Sequence, residues 1–187
     1  MAKVEKNVLT RGLSGKLGNQ VVFRRRGAET LMTVAPGRRT SPQTDAQLEH
    51  QQQFREAVIY AKAAMADPVL NGEYGAAAKS GESGFNLAVA DYLKGPEIVE
   101  LDQGLYTGEV GSKIRIRATD NFKVTAVMVK IHKADNTVLE SGNAIAGSNG
   151  LDWDYTATLH NDAMPGGKIV AIATDTPGHQ VEMTMML

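Results

Sequence analysis

The spacing of apolar residues divides the chain into three stretches. In the first forty residues they fall in short β-prone runs. Val21-Val22-Phe23-Arg24-Arg25-Arg26 and Thr30-Leu31-Met32-Thr33-Val34 read as two strands, and Gly27-Ala28-Glu29 between them has the length of a tight hairpin connection. Pro36-Gly37 breaks the second run. Two strands alone are marginal in water, so this hairpin has to lie on something, within the chain or on a neighbour.

The second stretch has helical spacing. Thr40-Ser41-Pro42-Gln43-Thr44-Asp45 is a linker and helix start, with Thr44 or Asp45 able to cap. From Leu48 the apolar positions Phe54, Ala57, Val58, Ala61 and Met65 share one helical face. Asp67-Pro68 closes that helix and opens another, with Asp as the cap and Pro in first position. This second piece runs to about Lys79, with Gly72 and Gly75 as interruptions. Phe85, Ala88, Val89, Tyr92 and Leu93 form a third face that ends at Gly95-Pro96.

From Glu97 the pattern becomes short and alternating. Strands are expected over 98–101, 114–118, 124–133, 137–140, 153–159, 168–173 and 180–186. About seven strands separated by turn signals fit an antiparallel sandwich of immunoglobulin type. Trp153 is expected in its core. Met183, Met185 and Met186 are expected on one packed face of the last strand, a candidate edge. The fold class is therefore α+β in three parts. Residues 1–40 form an extended basic arm with a β-hairpin, 41–96 a helical segment, and 97–187 an immunoglobulin-like β-sandwich.

Two resemblances add to this reading. Ala118-Thr119-Asp120-Asn121-Phe122-Lys123-Val124 and Ala171-Ile172-Ala173-Thr174-Asp175-Thr176-Pro177-Gly178-His179 resemble segments of bacterial immunoglobulin-like modules, with His179 where those modules carry Asn. Residues 1–95 resemble an uncharacterised bacterial family of Bacteroidetes type. The shared elements are Gly12, Gly15 and Gly18-Asn19, the basic strand ending Arg24–Arg26, Thr40-Ser41-Pro42-Gln43, and the helix start Gln47 to Phe54. The first resemblance implies a fold. The second implies no activity and transfers no catalytic residue.

Charge changes the picture more than bulk composition does. The net charge is −1, but it is split. Residues 1–40 carry nine Lys/Arg against two acids, a net +7, and residues 41–187 carry 11 against 19, a net −8. A basic head can bind a polyanion or the acidic body of another copy. Aromatic residues are only 5 % of the chain, with one Trp, too few for a base-stacking platform. The absence of cysteine excludes disulfides, a thiolate nucleophile and a cysteine zinc site. No secretory h-region and no membrane-length apolar run is present, so a cytoplasmic protein with no membrane partner is expected.

Candidate chemistry is sparse. Gly12-x-x-Gly15-x-x-Gly18 is not a dinucleotide fingerprint, and no Lys-Ser/Thr follows it as in a P-loop. Gly15-Lys16-Leu17-Gly18 matches a KH-type GxxG without the flanking helices. These glycines are read as letting the backbone turn or approach another backbone. Arg24-Arg25-Arg26 and Arg38-Arg39 can neutralise phosphates, but on a strand Arg25 faces away from its neighbours, so the run is not one patch. His50, His132, His160 and His179 have no ligand spacing. Asp102, Asp120 and Asp175 are expected at one end of the sandwich, where calcium is weighed against simple turn capping. No nucleophile elbow appears.

The expectation is thus a non-enzymatic structural protein with no cofactor or metal. It self-assembles as a homo-oligomer, filament or particle, phage-like or bacterial. Its interface is Gly12, Gly15, Gly18, Val21, Val22, Phe23, Arg24, Arg25, Arg26, Leu31, Arg38 and Arg39, the basic arm docking on the acidic body of a neighbouring subunit, with strand addition to a sheet edge as one route. The alternatives are an immunoglobulin-like binding or adhesion module for a protein or glycan and, third, a nucleic-acid packaging protein.

Overall fold

A computed structural model describes residues 2–4, 12–26, 29–37 and 42–187. Its element order is β1 (Ala2–Val4), β2 (Gly15–Leu17), β3 (Val21–Arg26), β4 (Glu29–Val34), α1 (Asp45–Ala66), α2 (Pro68–Ala77) and α3 (Gly84–Leu93). There follow β5 (Glu97–Asp102), β6 (Lys113–Thr119), β7 (Val124–His132), β8 (Val138–Asn143), β9 (Ile145–Ala146), β10 (Asp152–Thr156), β11 (Lys168–Asp175) and β12 (Gln180–Met186). The chain divides into two compact units, residues 1–52 with 79–83, and residues 53–78 with 84–187.

In the first unit β3 and β4 pair as the sequence suggests, from Val21↔Val34 to Arg26↔Glu29. The connection at Gly27 and Ala28, the linker residues Thr40 and Ser41, and Arg38 and Arg39 lie outside the described residues. The sheet is wider than a hairpin: four antiparallel strands in the order β1-β4-β3-β2. The additional strands are three residues each, too short to show a period in the sequence.

The second unit joins the helices to the strands that follow. Asp67 caps α2, its Oδ1 accepting from the N–H groups of Val69 at 2.8 Å and Leu70 at 3.1 Å, with Pro68 just inside. The helix continues through Gly72 and Gly75 to Ala77. Gly84, the first residue of α3, permits a close approach to α2, because a Cβ on it would sit 3.1 Å from the Gly75 nitrogen. The helices bury Ala57, Ala61, Ala64, Tyr74, Ala88 and Val89 together, and Phe122 from the β6–β7 loop packs against them. Its ring stacks on Tyr74 at 4.2 Å between centroids.

Eight strands then make two four-stranded antiparallel sheets, β5-β6-β10-β9 and β12-β11-β7-β8, packed in a sandwich-like arrangement. Their inner faces follow from strict alternation. On β6, Ile114, Ile116 and Ala118 point inward while Lys113, Arg115 and Arg117 point out. Ile114, Ile116, Val127, Val129, Ile131 and Ile169 are fully buried, each worth about 1.5–3 kcal/mol of apolar burial. Trp153 lies in this core. The strand that the sequence hides is β9, two residues entered directly from β8. One expectation is corrected: Met183 and Met185 pack on the core, but Met186 is exposed, because pleating turns it to the opposite face.

Candidate assembly surface

The three glycines of the first unit share a backbone role. Gly12, Gly15 and Gly18 have φ of +83°, +114° and +56°, the left-handed region open to glycine. A Cβ would meet nothing within 4 Å at any of them, so they serve turning and not close packing. Gly18-Asn19-Gln20 then connects β2 to β3, and the N–H of Ala35 donates to the Gln20 carbonyl at 2.9 Å.

Register sorts the side chains of this sheet into two faces, since directly paired residues share a face. Leu17 pairs with Val21 and Gly15 with Phe23. Val21 also pairs with Val34, Phe23 with Met32 and Arg25 with Thr30. One face therefore carries Leu17, Val21, Phe23, Met32 and Val34, with Arg25 at its end. Leu17 is 67 % exposed and Val34 83 %. A groove of about 150 Å³ lined by Leu13, Leu17 and Phe23 lies along β2. The other face carries Lys16, Val22, Thr33, Arg24 and Leu31, of which Leu31 is buried. Arg24 and Arg25 are exposed and diverge, as the strand reading anticipated. Across residues 12–37 the buried side chains among those described are Thr30, Leu31 and Ala35.

On the sandwich, Arg115 and Arg117 are bound to carboxylates. Arg115 Nε donates to Asp154 Oδ1 at 2.8 Å and Arg117 Nε to Asp152 Oδ1 at 2.8 Å, each with a second bond at 3.3 Å. The Arg115 bond holds the Asp154 carboxyl below the usual range. The Arg117 bond, with Asn149 second, does the same for Asp152. On β5, Glu97, Val99, Glu100 and Asp102 are exposed.

The three turn aspartates do not meet at one end. Asp102 is at the far end of β5 from Glu97, which pairs with Thr119 beside Asp120. Asp102 accepts from the Gly104 N–H at 2.8 Å. Asp120 accepts from Phe122 and Lys123, and Asp175 from Gly178 and His179. All three are capping residues of turns. Among the described residues no group of three or more His, Asp or Glu is placed to hold a metal ion. His50 is exposed. His132 Nδ1 lies 3.1 Å from the Asn136 carbonyl oxygen, and His160 Nδ1 3.3 Å from Glu109. His179 Nδ1 lies 2.9 Å from Asp175 Oδ2, its ring edge-on to Tyr92.

A buried polar cluster went unread in the sequence. Asp91 of α3 is fully buried and accepts from the Tyr74 hydroxyl at 2.6 Å, and Tyr60 and Tyr74 share a hydrogen bond of 2.8 Å. Asp91 Oδ1 and Asp120 Oδ1 are both buried without another partner. Burial pushes the Asp91 carboxyl up to about 7. The hydrogen bond from Tyr74 opposes this, while a hydrogen bond to Asp120 and the charges of Asp120 and Asp175 add to it. Burial, then Asp91, drives the Tyr74 hydroxyl far above its ordinary range. The available signal was an acid three residues after Ala88, on the apolar side of α3.

Comparisons with known proteins add little. No protein-family model matches the chain, and no curated protein matches it. Among solved structures, the crystal structure of an engineered protein is similar over 55 % of this chain, with a TM-score of 0.36 and 15 % identity. The match covers 25 % of that engineered protein's length. No helix among the described residues is long and apolar enough to cross a membrane.

Proposed function

We propose that this is a non-enzymatic structural protein that assembles with copies of itself through the N-terminal sheet. The observation that carries the reading is the face formed by Leu17, Val21, Phe23, Met32 and Val34, whose outermost members are largely exposed. An apolar sheet face with so small a buried complement is an interaction surface. Its occupant is the body of a second copy. Arg25 borders the face, and the +7 head meets a body of net −8 on which β5 presents exposed Val99 between Glu97, Glu100 and Asp102. Such a contact joins unlike surfaces, so it builds rings or open filaments. Sedimentation velocity of the full chain and of a Leu17→Lys/Val34→Lys variant tests this. Concentration-dependent large species are expected for the unaltered chain and their loss for the variant; the same distribution in both refutes it.

We infer an immunoglobulin-type sandwich for residues 97–187. The strand orders β5-β6-β10-β9 and β12-β11-β7-β8 correspond to A-B-E-D and G-F-C-C′. This supports the second reading, a binding module, through a groove of about 360 Å³ on the outer face of the second sheet, lined by Lys130, Lys168, Val170, Ile172 and Glu182. A retained protein or glycan on a monomeric chain would favour it. For nucleic-acid binding the sheet offers diverging arginines, and affinity that falls steeply with salt and depends on Arg24 to Arg26 is its test.

A further inference from the structure

The edges of the sandwich are not alike. β9 is two residues long. β5 has an extra residue at Val99, where the register slips between Ile98 and Glu100. β8 has one at Leu139, since Ile131 pairs with Glu140 and His132 with Val138. Shortness and bulges protect an edge from pairing with another chain. β12 has neither protection. Its seven residues pair with β11 without a slip, from Lys168↔Met186 to Thr174↔Gln180.

Two hydrogen bonds at its ends fix where its backbone points. The Leu187 N–H donates to the Gly167 carbonyl at 2.9 Å, and the His179 carbonyl accepts from the Asp175 N–H at 3.2 Å. Antiparallel alternation then commits the odd-numbered residues to β11. The N–H and C=O groups of Gln180, Glu182, Thr184 and Met186 are left on the open edge. Met186 O accepts from Gln103 Nε2 at 3.3 Å. The inward side chains Val181, Met183 and Met185 are half-buried, whereas Ile169, Ala171 and Ala173 beside them on β11 are fully buried. On its open side this inner row has β5 nearby but no hydrogen-bonded strand.

We infer that β12 pairs with β12 of a second copy, antiparallel about a two-fold axis at Met183. This register places Glu182 opposite Thr184 and Thr184 opposite Glu182, giving four backbone bonds between groups that all face the open edge. It places Met183 against Met183 and Val181 against Met185, completing the apolar row. The registers adjacent to it fail on the same grounds. A centre on Glu182 opposes two carboxylates. A centre on Thr184 needs Met186 O, which Gln103 holds. A centre between residues matches open groups with groups already bonded to β11 and reverses the faces. The result is one eight-stranded sheet running through two subunits, an isologous contact independent of the N-terminal sheet.

The chain has no cysteine, so single cysteines report this contact cleanly. In a pair not hydrogen-bonded to each other, the Met183 backbones lie within disulfide reach. Full-length Met183→Cys is expected to form a covalent dimer on mild oxidation, and Thr184→Cys alone is not. An equimolar mixture of Glu182→Cys and Thr184→Cys is expected to form the mixed dimer. Thr184→Pro removes an open-edge N–H without touching a bond to β11. It is expected to keep the far-ultraviolet spectrum and thermal transition and to lose the dimer on sedimentation. Repeating each in the Leu17→Lys/Val34→Lys background separates this contact from that of the N-terminal sheet. The inference is overturned if Met183→Cys gives no more covalent dimer than Thr184→Cys, or if folded Thr184→Pro self-associates as the unaltered chain does.

Discussion

Replacing Asp91 by asparagine should make the stability of the protein less sensitive to pH. Asp91 is fully buried, bonded to Tyr74 and near Tyr60, Asp120 and Asp175, the last of which holds His179. Its carboxyl is raised from 3.8 to about 7 by burial first. Between those values the folded chain holds a proton that the unfolded chain has released. The stabilisation is complete below the unfolded value and is lost as pH rises to about 7. At about 1.4 kcal/mol per unit, the loss between pH 5 and 7 is roughly 2–3 kcal/mol, and the curve flattens above. Asp135, Asp152 and Asp154 have depressed carboxyls. Their contribution is present above about pH 4 and lost on further acidification, outside this window. In Asp91→Asn the amide oxygen still accepts from Tyr74 and the amide nitrogen donates to Asp120, copying the protonated acid. Urea unfolding at pH 5, 6, 7 and 8 is the assay. The unaltered chain should lose stability across the series, with Asp91→Asn losing less and surpassing it at pH 8. Parallel curves would refute the account of a proton held on buried Asp91.

Asp67→Ala removes the α2 cap and should cost about 1 kcal/mol in chemical unfolding, with Asp67→Ser recovering most of it. Ile116→Ala empties a fully buried site between the sheets and should cost about 2–5 kcal/mol, read as a lowered urea midpoint with an unchanged slope. Arg25→Glu lies on the apolar face of the N-terminal sheet and should weaken assembly more than Arg24→Glu on the opposite face, measured by sedimentation at equal salt.

The sandwich was legible because its strands alternate strictly. Ile114-Arg115-Ile116-Arg117-Ala118 gives its burial pattern directly. The first two helices were legible through Asp67-Pro68, a cap and a first-turn proline in the right order. β9 was not, because a two-residue strand has no period. Gly72 and Gly75 misled, because a glycine costs a helix only about 1 kcal/mol and α2 runs through both. In the N-terminal sheet the basic run drew attention to Arg24–Arg26, yet the most exposed apolar positions are Leu17 and Val34. Those two come together through Val21 only once the β2–β3 and β3–β4 registers are known. Asp91 was hidden for a similar reason: one acid on a helix reads as solvated until Tyr74 and Asp120 are placed around it.

The claim that the N-terminal sheet is an assembly surface is tested most directly by amide hydrogen exchange at two protein concentrations. Residues Gly15–Leu17 and Val21–Phe23 should exchange more slowly at high concentration, where the sheet lies against another copy, while Ile114–Ala118 in the sandwich should be unchanged. Equal exchange of β2 and β3 at both concentrations would contradict it.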